Sequence, residues 1–233
     1  MNIGLFGYGK MGKMIEQIAQ DRGHSITAKI DVGVTDVPYE AIDVAIDFST
    51  PDAAFQNITT CFDKGIPIIS GTTGWLDKYE KAVAICKEKK GGFIYASNFS
   101  LGVNIFFELN SHLAKMMANL DAYKVSMEEI HHTQKLDAPS GTAISLAEDI
   151  IGNSAYQKWQ LNETGENTIP ITSKREGTVP GTHTIAYKSS VDTIEIKHTA
   201  NNREGFALGA VIAAEWIYGK TGVFSMKDVL NLK

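Results

Sequence analysis

Over the first hundred residues the apolar positions alternate between two rhythms. Short apolar runs at Ile3–Phe6, Val44–Phe48, Ile66–Ser70 and Phe93–Ala96 read as strands, and Ser25–Asp31 reads as another that ends in an acid. Between them apolar residues return at helical spacing. Met11, Ile15, Ile18 and Ala19 mark a helix that runs to near Arg22 and stops at Gly23. A second helix follows Ser49-Thr50-Pro51-Asp52, with Ser49 or Thr50 as its cap and Pro51 in its first position, and ends near Lys64 before Gly65. A third runs to near Lys89. This alternation predicts an α/β unit built as a Rossmann-type, doubly wound parallel sheet.

After Asn98 the pattern changes. Asn104–Met117 has the period of a long helix, Tyr123–Ile130 that of a strand, and Gly141–Ile151 that of a helix. From Trp159 onward β-branched runs broken by Gly and Pro (Ile169–Arg175, His183–Lys188, Thr193–Thr199) predict a mixed or antiparallel sheet. Phe206–Tyr218 is apolar nearly all round, the mark of a buried helix, here expected to return to the first domain. The expected organisation is a domain of residues 1–102 completed by 206–233, and a smaller α+β domain of 103–205 with a mixed sheet. The chain crosses between them near Leu101 and near Gly205, where a hinge is expected.

With 233 residues the chain is long enough for both domains, and 43% hydrophobic and 21% charged residues suit a globular protein. A net charge of -5 offers no broad basic surface, so no nucleic-acid partner is expected, while a local positive pocket remains compatible with it. No apolar run approaches the ~20 residues of a membrane span, and the N-terminus enters a strand without a signal-peptide pattern. Cys61 and Cys86 have no CxxC partner or metal-ligand spacing. They read as buried free thiols in a reducing cytoplasm.

The chemistry concentrates in two places. The first is Gly7-Tyr8-Gly9-Lys10-Met11-Gly12, a GxGxxG loop that follows a strand and opens a helix, the context in which this motif is informative. Gly7 allows the tight turn, Gly9 the approach of backbone to a pyrophosphate, and Gly12 the close packing of helix on strand. Asp31, about twenty residues on, stands where an acid bonds the adenine ribose hydroxyls. That position favours NADH. NADPH remains open, with Lys10, Lys13 and Lys29 near in sequence. Two more loops at carboxyl ends of strands, Gly71-Thr72-Thr73-Gly74 and Ala96-Ser97-Asn98-Phe99, are candidates to hold the nicotinamide end.

The second place is Glu128–Thr142, EEIHHTQKLDAPSGT. His131 and His132 follow a strand and point to opposite sides if it persists. Lys135 carries an ammonium that can neutralise a carboxylate or donate a proton. Ser140-Gly141-Thr142 opens a helix, an anion site made of free N–H groups and hydroxyls. Asp137 reads as a brace for the loop. The histidines are adjacent rather than spaced for joint ligation, and no cysteine is near, so no metal is expected.

This run resembles the signature of the 4-hydroxy-tetrahydrodipicolinate reductase family, also called dihydrodipicolinate reductases. IDFST at 46–50, SGTTG at 70–74, SNFSLGVN at 97–104, REGTVPGTHT at 175–184 and NREGFALGA at 202–210 are similar to family segments in the family's order. The resemblance implies NADH- or NADPH-dependent reduction of a cyclic imine dicarboxylate in the diaminopimelate route to lysine. It implies His131 as proton donor and acceptor and Lys135 as proton donor. His132, Ser140, Gly141 and Thr142 would hold the substrate carboxylates, with Thr73 reaching in from the cofactor side. Residues 7–12, Asp31, 71–73 and 96–99 would bind the cofactor. It also implies a homotetramer assembled through the sheet of the second domain. Two features depart from the family: the glycine loop is shorter than in many members, and so is the segment between Asp31 and Val44. The rival readings are another Rossmann reductase of imino or keto acids, which has no need of the HHxxK and DAPSGT combination, and a non-catalytic dinucleotide sensor, which has no need of His131 with Lys135.

Overall fold

The structure is a computed structural model that describes residues 1–232. The chain divides into two compact units, Met1–Leu101 with the segment from Glu204 onward, and Gly102–Arg203.

The first unit is a six-stranded sheet of β1 (Asn2–Phe6), β2 (Ser25–Ile30), β3 (Val44–Asp47), β4 (Ile68–Ser70), β5 (Gly92–Tyr95) and β11 (Gly222–Phe224), in the order β11-β5-β4-β3-β1-β2. All neighbours are parallel. Alternation along the strands sorts their side chains onto two faces. Ile3, Leu5, Val44, Ile46, Ile69 and Ile94 pack on one side against α1 (Lys10–Asp21) and α6 (Glu204–Ile217). Phe6, Ala45, Ile68 and Phe93 pack on the other against α2 (Pro51–Asp63) and α3 (Tyr79–Glu88). This is the doubly wound sheet that the sequence pattern predicts. Helix α6 needs glycine at position 209, where a β-carbon would lie 1.8 Å from the carbonyl oxygen of Phe99. β11, three residues long, is an edge strand that the sequence pattern does not reveal, as is the short helix α7 (Met226–Val229).

Strand order reverses between β1 and β3, since the chain leaves β1 for β2 on one side and returns to β3 on the other. In open α/β sheets the crevice outside the carboxyl ends at such a switch point receives the ligand. The glycine loop leaves β1 at this point.

The second unit is a five-stranded mixed sheet in the order β10-β9-β6-β8-β7, from β6 (Lys124–His131), β7 (Lys158–Leu161), β8 (Thr168–Arg175), β9 (Gly181–Lys188) and β10 (Thr193–Ala200). β6 pairs parallel with β8 and antiparallel with β9. One face carries α4 (Leu101–Met117) and α5 (Gly141–Gly152) over Val125, Met127, Ile169, Ile171, Ile185 and Tyr187. The opposite face is polar: Lys124, Ser126, Thr172, Lys174, Glu195 and Lys197 are exposed. α4 begins three residues earlier than its periodicity suggests, at Leu101 rather than Asn104.

Candidate active site

The glycine loop has the geometry of a phosphate cradle. Gly7 takes φ +88°, a left-handed conformation that glycine adopts without strain, and a β-carbon there would lie 2.1 Å from the carbonyl oxygen of Phe48. Its amide donates to Ile30 at 2.8 Å, which sets the loop against the end of β2 beside Asp31. Gly12 packs α1 onto the turn, where a β-carbon would come within 2.4 Å of the Gly7 carbonyl oxygen. Gly9 differs: a β-carbon there meets no protein atom within 4 Å. It caps α1 with no side-chain hydrogen bond, and the first turn holds no acid. With Gly9 and Lys10 exposed, this helix start is open to a phosphate. Lys10 and Lys13 are exposed beside it. Met11 packs against the core.

Asp31 is exposed at the end of β2, its Oδ1 accepting from the amide of Val32 at 2.8 Å. Lys29 pairs with Glu16 at 2.7 Å and donates to the Tyr8 hydroxyl at 3.0 Å, and Tyr8 in turn donates to Glu16. Tyr8 and Lys29 are thereby engaged with each other and with Glu16.

The two nicotinamide-side loops divide by side chain. Thr72 is buried, and its hydroxyl donates to Asp47 Oδ2 at 2.7 Å while accepting from the amide of Ser49 at 2.8 Å. That carboxylate also receives Ser49, Ser70 and Asn57. The Thr72 hydroxyl thus ties β3 to β4, and its carbonyl accepts from Trp75 Nε1 at 2.7 Å. The Phe99 ring likewise lies in the core, 5.8 Å from Phe48. Thr73 and Ser97 are exposed, Gly71 and Asn98 half-buried, and Ala96 packs against the core.

In the second unit β6 ends at His131 and places Glu129 and His131 on its buried face. Glu129 is fully buried. Its Oε1 accepts from Ser173 at 2.8 Å and from Arg175 Nη2 at 3.1 Å. Its Oε2 lies 2.9 Å from His131 Nδ1 and 3.9 Å from His183 Nε2. The His131 approach is close without being aligned as a hydrogen bond. Burial pushes the Glu129 carboxyl up, but the donors around it, His131, Ser140 and Ser173, outweigh that and hold it well below the usual carboxylate range. His183, from β9, sits with its ring centroid 5.1 Å from that of His131 and its Nε2 3.0 Å from Ser140 Oγ. Burial, then the neighbouring His131, push its imidazole down to about 4, so it is neutral at pH 7.

Ser140 caps α5, its Oγ accepting from the amide of Ala143 at 3.2 Å. Gly141 is exposed and Thr142 half-buried in a first turn without acids, so this helix start is open to an anion as well. Lys135 reaches both oxygens of Asp137, at 2.8 and 2.7 Å, and holds that carboxyl below its usual range. Arg175 donates to the carbonyls of Lys135 at 3.3 Å and Asp137 at 2.6 Å, stapling this loop to the sheet. His132, past the strand end, has its Nε2 3.3 Å from Arg203 Nη2 in a cavity of about 460 Å³ lined also by Gln134, Thr178, Asn201 and Asn202. The two histidines thus enter different surroundings.

Glu129, His131 and His183 offer ligand atoms all within 4.8 Å of one another. A second cation among them would face the Arg175 guanidinium already held by the same carboxylate, so the set reads better as a proton-handling cluster.

Two matches span the chain. Residues 1–99 match the family described as "Dihydrodipicolinate reductase, N-terminus", and residues 102–230 match "Dihydrodipicolinate reductase, C-terminus". The chain belongs to the dihydrodipicolinate reductase family. A 4-hydroxy-tetrahydrodipicolinate reductase of Christiangramia forsetii is 61% identical over 99% of this chain and 98% of its own length. One from Neisseria gonorrhoeae is 35% identical over 93% and 84%. The fold is shared with a dipicolinate-bound dihydrodipicolinate reductase of Paenisporosarcina sp. TG-14, at a TM-score of 0.81 and 22% identity over 100% and 99% of the two chains. It is shared more loosely with a probable dehydrogenase of Thermotoga maritima, at a TM-score of 0.59 and 10% identity over 98% and 92%. Dihydrodipicolinate reductases are oxidoreductases of lysine biosynthesis that use NADH or NADPH, and their substrate is a small dicarboxylate. Among the described residues no helix is long and apolar enough to cross a membrane.

Set beside this family membership, four site residues are not reached by reading the sequence alone: Glu129, Arg175, His183 and Arg203. The first is one place beyond the acid that opens the motif. The others become neighbours only through the pairing of β8 and β9 with β6, or through the turn before α6.

Proposed function

We propose that this chain reduces 4-hydroxy-tetrahydrodipicolinate, with the Glu128–Thr142 segment holding the dicarboxylate and supplying protons. The observation that carries this reading is the convergence, at the end of β6, of a buried imidazole paired with a carboxylate, a lysine and an open helix start.

NADH or NADPH, when bound, supplies the hydride. Residues 7–12 would hold its pyrophosphate, Asp31 its adenine ribose, and the loops at 71–73 and 96–99 its nicotinamide end. On the substrate side, His132 with Arg203 and the α5 start with Ser140, Gly141 and Thr142 would each take a carboxylate. Lys135 meets its present partner Asp137 at the protein surface, where the carboxylate is 61% exposed. An exposed pair of this kind contributes little, so the ammonium is readily drawn to a substrate carboxylate or to developing negative charge. His131 delivers a proton to meet the negative charge that hydride addition develops across the imine system. By the family resemblance copies would assemble into a homotetramer through the sheet of the second unit, and two buried free thiols suit a cytoplasmic setting.

The test is a coupled assay. A dihydrodipicolinate synthase generates the substrate from pyruvate and aspartate semialdehyde, and NADH absorbance is followed. Oxidation that requires the synthase supports the reading. Oxidation of NADH with other imino or keto acids alone would favour a different reductase.

A further inference from the structure

Glu129 enters the scheme above only as the partner of His131, yet it is the most enclosed ionisable group near the site, with no exposed surface. A carboxylate in such a place requires compensation from its neighbours. Each of its oxygens has separate company. Oε1 receives Ser173 and Arg175, and Arg175 continues to the backbone carbonyls of Lys135 and Asp137. Oε2 faces His131 Nδ1 at 2.9 Å.

We propose that Glu129 is the positioning residue for both proton-handling groups. Through Oε2 it keeps a proton on Nδ1 of His131 and fixes that ring, and through Oε1 and Arg175 it fixes the loop that carries Lys135. The proposal rests on the roles given above to His131 and Lys135.

Three features of the surroundings support it. Glu129 Oε2 and His131 Nδ1 stand 2.9 Å apart with neither engaged in an aligned hydrogen bond, so each is available to the other. The ring also has a reserved place: a β-carbon at Gly181, on β9, would lie 3.0 Å from His131 Nε2, so glycine there leaves room for the imidazole. Finally, the groups facing His131 are Glu129 on its own strand, His183 on β9, Arg175 on β8, and Ser140 at the start of α5, with the Lys135–Asp137 pair on the loop that follows. Among the described residues Glu129 is the one acid within ion-pair distance of it. Replacing that carboxylate by an amide keeps the shape but removes the acceptor that would hold a proton on Nδ1.

The experiment compares wild type with Glu129→Gln and Arg175→Lys in the full chain, with substrate made in situ. For Glu129→Gln, kcat is expected to fall roughly 100-fold or more, by analogy with loss of the orienting carboxylate in other carboxylate–imidazole pairs. NADH affinity measured by fluorescence should stay unchanged. Arg175→Lys keeps the charge but loses the fork to the two carbonyls, so kcat should fall with NADH affinity again unchanged. A Glu129→Gln enzyme with wild-type kcat overturns the proposal. Nitrogen-15 NMR of histidine-labelled wild type gives a reading that needs neither variant nor turnover. A protonated His131 Nδ1 supports the proposal, and a bare Nδ1 overturns it. A wild type that turns over no substrate instead refutes the reading beneath, and the NMR result still decides this one.

Discussion

Gly12 faces the carbonyl oxygen of Gly7 so closely that a β-carbon at position 12 would lie 2.4 Å from it, whereas Gly9, between them, faces open space. The same motif therefore contains a packing glycine and a ligand glycine. Gly12→Ala should destabilise the fold by about 1–3 kcal/mol, the range for overpacking against backbone, and weaken NADH binding as a consequence. Gly9→Ala should leave the thermal midpoint unchanged and still weaken NADH. Thermal melts and fluorescence titrations of both variants check this; a Gly9→Ala protein with wild-type affinity would refute the phosphate cradle.

Asp31 is expected to set cofactor choice. With Lys29 committed to Glu16 and the Tyr8 hydroxyl, no cation on β2 offsets the repulsion between this acid and a 2′-phosphate. Asp31→Asn should lower kcat/KM for NADH by about tenfold, roughly 1.4 kcal/mol, and leave that for NADPH equal or higher. Parallel steady-state assays with the two cofactors decide it.

Acid should destabilise the second unit through His183. Its folded value of about 4 lies below the ordinary 6.5, so between those values the unfolded chain binds a proton that the folded chain refuses. Stability is then full above pH 6.5 and falls as pH drops toward 4, by about 3 kcal/mol in all. Glu129, held low by its donors, adds to the loss at still lower pH. Urea titrations at pH 7 and pH 4.5 should show the decrease, and His183→Gln should remove most of it.

Thr72 and Thr73 are adjacent and chemically alike, but only Thr72 holds the buried Asp47. Thr72→Val should cost about 1–3 kcal/mol by leaving a buried acceptor short of a donor, whereas Thr73→Ala should change stability by less than about 0.5 kcal/mol. Chemical denaturation of the two variants tests the contrast.

That pair also shows where sequence reading ends. The glycine loop, Asp31 and the HHxxK run are legible because each depends on residues a few places apart, within one strand–loop–helix unit. Which of two threonines turns inward depends on Asp47 from another strand. His183 and Arg175 join the site because β9 and β8 flank β6, an order that no local period encodes. β11 escapes notice because three residues carry no periodicity.

The central claim is that proton delivery from the Glu128–Thr142 segment is separate from cofactor binding at the glycine loop. Lys135→Ala tests it most directly, with kcat and the NADH dissociation constant measured on one preparation. The account predicts a kcat lower by roughly 10²–10⁴-fold with NADH affinity unchanged. Wild-type turnover, or a loss of turnover that tracks an equal loss of NADH binding, would contradict it.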